Sequence, residues 1–479
     1  MQDLWNIALK DRIISRISRF LGNNTYLVGG CVRDLLMNKP SKDYDIVTFT
    51  DVWALAQKVA SHLEAKAFWM DKSRQIARIA FPSPTDLPAS GRPSVLIDIS
   101  APKGPDIVSD LKGRDITVNA MALDLLNKEL IDPLKGVEDL KAGIIRITSE
   151  GSIVSDPLRI LRCLRFAAMF CFNIETHTLD LLKQYASDIE TVSPERIKQE
   201  LMSAIDCSNG SRMFYLMEEI GLIDILFPQY RDAHGMSQGR HHKWPLLKHV
   251  LLTTSEIDSL IEHREEYLPG IGDYLSEEIE YGITRAGLLR LAAFLHDIGK
   301  PETKTKDLYG NVHFYGHTHQ GTVIASNICK KLKFSTKSIR TVEKIVETHM
   351  RLLDLSTTAG QCQITDRAIY RLLSQARGIV PEMLLHAIAD ATATGKDPAY
   401  TGSRACIETI VSKVWNYYIC ETKKMTPLIN GYDVMQTLGC PPGPQVGMYL
   451  RMVEEARAEG IVLSRDDAVC YLHTIKDGR

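Results

Sequence analysis

The 479-residue sequence has no CxxC pair among its ten cysteines, no apolar run of membrane-spanning length and almost no net charge. Without paired cysteines neither a zinc ribbon nor a disulfide scaffold is suggested, so reduced thiols in a cytoplasmic setting are expected. Cys31, Cys163 and Cys171 lie among apolar neighbours and read as core residues. Without about 20 consecutive apolar residues no segment should cross a bilayer. Met1 to Phe20 mixes Asp and Arg into its apolar residues, unlike the continuous hydrophobic stretch of a signal peptide. A formal charge of -2, from 57 basic and 59 acidic residues, excludes a uniformly basic coat for nucleic acid, so any RNA site has to be a local groove. Repeats and low-complexity tracts are also missing. What remains, 44% hydrophobic and 24% charged, is the composition of an ordinary soluble protein with several cores, and two to four domains are expected.

Short β-branched runs at Tyr26–Val28, Asp45–Phe49, Ile76–Phe81 and Val95–Ile99, with a helical pattern over Asp51–Ala65, predict a small α/β domain. The segment Pro82–Pro93 is rich in proline and glycine and reads as a surface loop. From Asp156 onward the apolar spacing becomes helical, as at Leu158, Leu161 and Leu164. Asp258–Glu280 is polar, lacks an apolar period and reads as an insertion or exposed loop.

The strongest constellation is Leu27-Val-Gly-Gly-Cys-Val-Arg-Asp-Leu-Leu36, followed by Ser41-Lys-Asp-Tyr-Asp-Ile-Val47. Gly29 and Gly30 end a strand and open a helix, where backbone N–H groups can hold phosphates, and Arg33 follows one turn later. Asp43 and Asp45 are two apart on a strand, so both carboxylates project from one face. Such a pair can hold Mg²⁺ and so serve a 3′-hydroxyl attack on a triphosphate. Asp98, on Leu96-Ile-Asp-Ile-Ser100, is a candidate third ligand. In this order and spacing the motifs resemble the DNA polymerase β superfamily of nucleotidyltransferases.

Three further segments continue that order: Gly113-Arg-Asp-Ile-Thr-Val-Asn-Ala, Ile131-Asp-Pro-Leu-Lys-Gly136, and Asp156-Pro-Leu-Arg-Ile-Leu-Arg-Cys-Leu-Arg-Phe. With Ser193-Pro-Glu-Arg-Ile-Lys-Gln-Glu-Leu201 they closely resemble class II tRNA nucleotidyltransferases and bacterial poly(A) polymerases. Arg159, Arg162 and Arg165 recur every three residues on one helical face, where guanidinium forks can read a base edge and neutralise phosphates. The resemblance implies that Asp156 and Arg159 contact the base, and that Gly30, Arg33, Arg114, Arg162 and Arg165 serve the nucleotide and its phosphates. The chain departs from the family pattern at Gly113, where a first Arg is usual, and at Ser155, where a Glu is usual. Only 15 residues lie between Asp98 and Arg114, whereas relatives that add the terminal A carry a longer flexible loop there. The short loop leans toward CC addition.

A second constellation comprises His249, then Leu291-Ala-Ala-Phe-Leu-His-Asp-Ile-Gly-Lys-Pro301, His317, His349 and Asp390. It resembles the HD superfamily of phosphohydrolases, whose ligands sit on separate helices. The resemblance implies one divalent-metal site of His249, His296, Asp297 and Asp390, and a second using His317 and His349, with His319 as an alternate. The segment from Thr401, with its glycine and proline turn near Gly439–Gly443, resembles the family's tail and is a place to meet the tRNA backbone.

The expected fold is therefore an α/β nucleotidyltransferase head (1–150), a helical nucleotide-reading neck (151–235), an HD bundle (236–400) and a helical tail (401–479). The expected activity is transfer of CMP, with AMP left open, from CTP or ATP to tRNA 3′ ends, plus HD phosphohydrolysis of an undefined substrate. Two rivals stand beside it: a poly(A) polymerase, and an HD phosphohydrolase whose head only binds nucleotide.

Overall fold

A computed structural model describes residues 2–41, 43–81, 95–239, 242–358, 364–395, 403–422 and 428–477. The expected loop Pro82–Pro93 lies outside the described residues. The chain divides into two compact units, one holding 1–204 and 219–225, the other 205–218 and 226–479.

The first unit is built on a seven-stranded sheet: β1 Thr25–Val28, β2 Asp43–Thr48, β3 Lys66–Asp71, β4 Ile76–Phe81, β5 Val95–Ser100, β6 Ala122–Asp124 and β7 Glu129–Ile131. Its order is β3-β4-β5-β2-β1-β6-β7, with only β2 and β5 parallel. Period-two alternation decides the two faces. Ile46, Ala77, Ile79, Ile97 and Ile99 are buried with Val52, Leu55, Ala56 and Val59 of the helix Val52–Leu63. Each Ile, Val or Leu among them contributes roughly 1.5–3 kcal/mol by leaving water. Asp51 caps that helix by accepting from the Ala54 N–H, and Glu64 ends it in the left-handed conformation. The expected strands and helix are all present, and β3, β6 and β7 add to them.

Helix dominates after Asp156. The helix Arg159–Phe170 turns its apolar side, Ile160, Cys163, Leu164 and Ala167, inward. Cys171 corrects the reading of a core cysteine: it ends this helix at φ 55° and is exposed, because the left-handed closing residue projects outward. In the second unit the helices Leu246–Glu262, Arg285–Leu295, His317–Lys331, Thr336–Thr348 and Val380–Thr394 form the body. Phe294 anchors it, stacked on Phe214 at 4.1 Å and edge-on to Phe227 and Tyr230. The polar stretch from Asp258 is not wholly an insertion: Asp258–Glu262 completes a helix, Leu260 is buried, and Asp258 pairs with the buried Arg290. Tail helices Gly431–Leu438, Pro444–Ala458 and Arg465–Asp477 share a small core of Val434, Val453 and Leu472. Among the described residues eight cysteines are free thiols, whereas Cys406 is disulfide-bonded, a departure from the all-reduced expectation. Among the described residues no helix is long and apolar enough to cross a membrane.

Candidate functional site

Strand register aligns the carboxylates. Asp45 on β2 faces Asp98 on β5, and Asp98 faces Arg78 on β4, so the three side chains form a row on the face opposite the apolar core. Asp43 lies two residues away on the same face, at the exposed start of β2. Burial, followed by the neighbouring charges of Asp98 and Asp43, raises the Asp45 carboxyl above its ordinary range against the pull of Arg114. A carboxyl that is costly to ionise alone suits a group completed by a cation. Asp98 is held differently: Arg78 Nε and Nη2 each donate to one of its oxygens at 2.7 Å.

The glycine turn sits beside this row. Gly29 has φ +76°, and a Cβ there would meet Arg114 Nη1 at 2.8 Å and Asp45 Oδ2 at 3.4 Å. The positive φ favours glycine, and a side chain there would also push the Arg114 guanidinium aside. The Gly29 N–H is already given to the Met121 carbonyl, so the amides available to a phosphate begin at Gly30, which opens the helix Gly30–Leu36. Arg114 is steadied by Asp110 at 3.2 Å. Arg33 is enclosed rather than open: it donates to Asn119 and Asp34, and its guanidinium lies 4.7 Å from the Phe170 ring centroid.

The arginine series occupies one face of its helix as the spacing predicts. Arg159 donates to the carbonyls of Arg114 and Gly113, Arg162 bridges Asp115 and Glu200, and Arg165 pairs with Glu200. Burial opposes ionisation of Asp115, but Arg162, the Ile116 N–H and Arg159 outweigh it and hold the carboxyl below its usual range. Asp156 is likewise lowered, against burial, by Arg196 at 2.8 Å. Ser155, in the place of the usual Glu, turns its hydroxyl to the Ser152 carbonyl and closes the preceding helix. Arg78 and Arg196 carried no assignment in the sequence, because their partners lie far away in the chain.

The second centre is in the helical body. His249, His296 and Asp390 bring ligand atoms within 4.8 Å of one another, and so do Asp297, His317 and His349. Asp297 joins the groups: Oδ2 lies 3.1 Å from His296 Nε2 and 3.5 Å from His249 Nε2, while Oδ1 lies 3.6 and 3.7 Å from His317 and His349 Nε2. His296, His317 and His349 each place Nδ1 on the backbone carbonyl three residues earlier, leaving Nε2 directed inward. The Nε2 atoms of His317 and His349, with Asp297 Oδ1, are buried and have no hydrogen-bond partner. Polar atoms so costly to bury unpaired fit a cation centre of nitrogen and oxygen donors. Burial, reinforced by His296, pushes His349 down to about 3, which keeps it neutral as a ligand must be. His319 does not join the cluster; it is exposed. Two neighbours went unassigned: Lys300, whose Nζ is 2.6 Å from Asp297 Oδ2, and His386, fully buried with its ring 4.9 Å from that of His296. His386 stands one turn before Asp390, a spacing that could have drawn attention to it, but a lone histidine in an apolar helix reads as core.

Fold and site together define a nucleotidyltransferase head followed by an HD-type helical body. Residues 25–146 match the Poly A polymerase head domain, residues 171–233 the region described as "Probable RNA and SrmB- binding site of polymerase A", and residues 270–395 the HD domain. The chain is 30% identical over 452 residues to the A-adding tRNA nucleotidyltransferase of Deinococcus radiodurans, covering 93% of this chain and 94% of that one. It is 27% identical to the CC-adding tRNA nucleotidyltransferase of Geobacter sulfurreducens, covering 96% and 94%. Among solved structures it shares the fold of a Thermotoga maritima CCA-adding enzyme complexed with tRNA, at TM-score 0.63 and 20% identity over 99% of this chain and 98% of that one. The chain belongs to the tRNA nucleotidyltransferase and poly(A) polymerase family and carries an HD domain.

Proposed function

We propose that the chain is a cytoplasmic enzyme that adds nucleotides, without a template, to the 3′ end of tRNA. The observation that carries this reading is the row of Asp45 and Asp98 beside the Gly29 turn, with Asp43 on the same face. Asp43 and Asp45, with Asp98 as a candidate third ligand, would hold Mg²⁺, which supplies charge neutralisation for attack of a 3′-hydroxyl on the α-phosphate. Gly30 and Arg114 line the phosphate side of that row. Asp156 and Arg159 present an acceptor and a fork to the base, while Arg33, Arg162 and Arg165, already paired to acidic or amide groups, fix the surface behind the nucleotide. The helical neck and tail fit the role of holding the tRNA body.

The short connection favours CC addition. Only Ala101–Asp106 links β5 to the helix Ile107–Lys112, and the Lys103 N–H is tied to Asp110 at 2.9 Å, the same residue that steadies Arg114. Such a tied turn has little reach toward Asp156 and Arg159. The second reading, addition of the terminal A, is favoured by the 30% identity to an A-adding relative. Incubating the enzyme with tRNA lacking CCA and each nucleotide singly, and resolving products to one nucleotide, tests both; no extension by any nucleotide refutes the proposal.

The HD residues support a second activity, metal-dependent hydrolysis of a phosphate ester. His249, His296, Asp297 and Asp390 would hold one divalent ion, and Asp297, His317 and His349 a second; bound metal would supply an activated water. Release of phosphate from simple phosphomonoesters or cyclic phosphodiesters, lost on chelation, is the corresponding assay.

A further inference from the structure

The row that begins at the carboxylates does not end at Arg78. Phe68 on the edge strand β3 is the register partner of Arg78, so Asp45, Asp98, Arg78 and Phe68 run across four strands on one face. Phe68 and Met70 are 44% and 50% exposed, whereas the opposite face of the same strands buries Ala77, Ile79, Ile97 and Ile99. Phe68 is therefore a large aromatic on the catalytic face with no core to fill. Arg78 spends Nε and Nη2 on Asp98, which fixes the plane of the guanidinium and leaves Nη1 for another oxygen. Lys66, one row along on β3, is exposed on the same face.

The two flanks of the carboxylates are unequal. On the β1 side lie the Gly29 turn, Arg114 and the arginine helix, which suit a triphosphate and its base. Among the described residues the β4 and β3 side has cations, an open aromatic and apolar rims, and no helix opens onto it as the helix Gly30–Leu36 does beside Gly29. In-line transfer needs the attacking hydroxyl to approach the α-phosphate from the side away from the departing pyrophosphate. We infer that the face carrying Arg78 and Phe68 receives the single-stranded 3′ end of the acceptor RNA, Phe68 stacking on a terminal base and Arg78 contacting a backbone phosphate. This rests on the proposed transferase activity. A stacking platform with a nearby cation is the physical solution for binding a flexible single strand without reading its sequence. Arg78 also acts as a positioning residue, because its fork orients the Asp98 carboxylate beside Asp45.

The test is steady-state extension of tRNA, with KM determined separately for acceptor and for CTP. Phe68→Ala should raise the acceptor KM about tenfold, within the range of one lost base stack, and leave the CTP KM within about twofold. Phe68→Tyr should restore the acceptor KM. Arg78→Gln should make acceptor binding less salt-dependent, by about 0.7 in the logarithmic slope expected for one phosphate contact on a single strand. Circular dichroism of each variant distinguishes loss of fold, and Phe68→Leu, which keeps an apolar side chain but removes the ring, should behave like Phe68→Ala. An unchanged acceptor KM in both Phe68→Ala and Phe68→Leu, or equal rises in both KM values, overturns the inference. A wild-type enzyme that extends no tRNA overturns the transferase reading instead.

Discussion

Arg162 closes both Nε and Nη2 on Asp115 Oδ2, at 2.8 and 2.6 Å, and so ties the arginine helix to the segment bearing Arg114. Asp115 is almost wholly buried, whereas a third of the Arg162 side chain stays exposed. Asp115→Asn should therefore destabilise the first unit by about 2–4 kcal/mol, toward the lower end for breaking a buried pair. Urea unfolding followed by circular dichroism measures it.

The same pair sets an acid limit. The Asp115 carboxyl is depressed below 3.8 in the folded chain, so its contribution is complete above that value and is lost as pH falls through the folded-state value. Asp156, depressed chiefly through Arg196 against its burial, adds in the same direction. Unfolding midpoints between pH 5 and pH 2 should drop more steeply in the wild type than in Asp115→Asn. Parallel curves would assign the acid loss to other carboxylates.

Removing either candidate metal carboxylate should silence transfer. Asp43→Ala and Asp45→Ala are expected to lower CTP incorporation by at least about a hundredfold, the scale on which losing transition-state charge stabilisation is felt. Circular dichroism should stay native and phosphate release should persist. Wild-type incorporation in either variant would contradict the assignment.

The HD centre should respond in the opposite sense. His296→Ala with Asp297→Ala is expected to abolish chelator-sensitive phosphate release and to lower bound divalent metal, measured by elemental analysis, with CTP incorporation retained. Hydrolysis that continues in the purified double variant would remove the assignment.

Nucleotide choice has its own readout. Given tRNA ending in CC with ATP alone, the enzyme should add little or no A if the tied turn at Lys103 governs specificity. One A added efficiently would favour the A-adding reading, and a long ladder would favour a poly(A) polymerase.

Features governed by local spacing were legible in the sequence. Asp43 and Asp45 share a face because strands have period two, and Arg159, Arg162 and Arg165 share one because three residues nearly complete a helical turn. The HD residues were legible as a set from their order, although the sharing of Asp297 between two groups is a matter of tertiary distance. β3 was missed because Ala67, Phe68, Trp69 and Met70 place apolar groups on both faces and erase the alternation that marks a half-buried strand. The Arg78 and Asp98 fork depends on the register of β4 against β5, strands separated by the Pro82–Pro93 segment, and no local rule supplies that register. Arg196 with Asp156 was hidden for the same reason: the two are brought together only by helix packing.

The position of Asp297 has a consequence for loading. One carboxylate faces His249 and His296 through one oxygen and His317 and His349 through the other, so the two halves of the centre share Asp297, while Asp390 adds its charge to the first half alone. A first cation would spend part of the Asp297 charge and would fix the orientation of that carboxylate for the second. Occupancy should then follow two unequal steps rather than one statistical curve, and a preparation with a single ion per chain would be a distinct chemical species, not an even mixture of empty and filled protein.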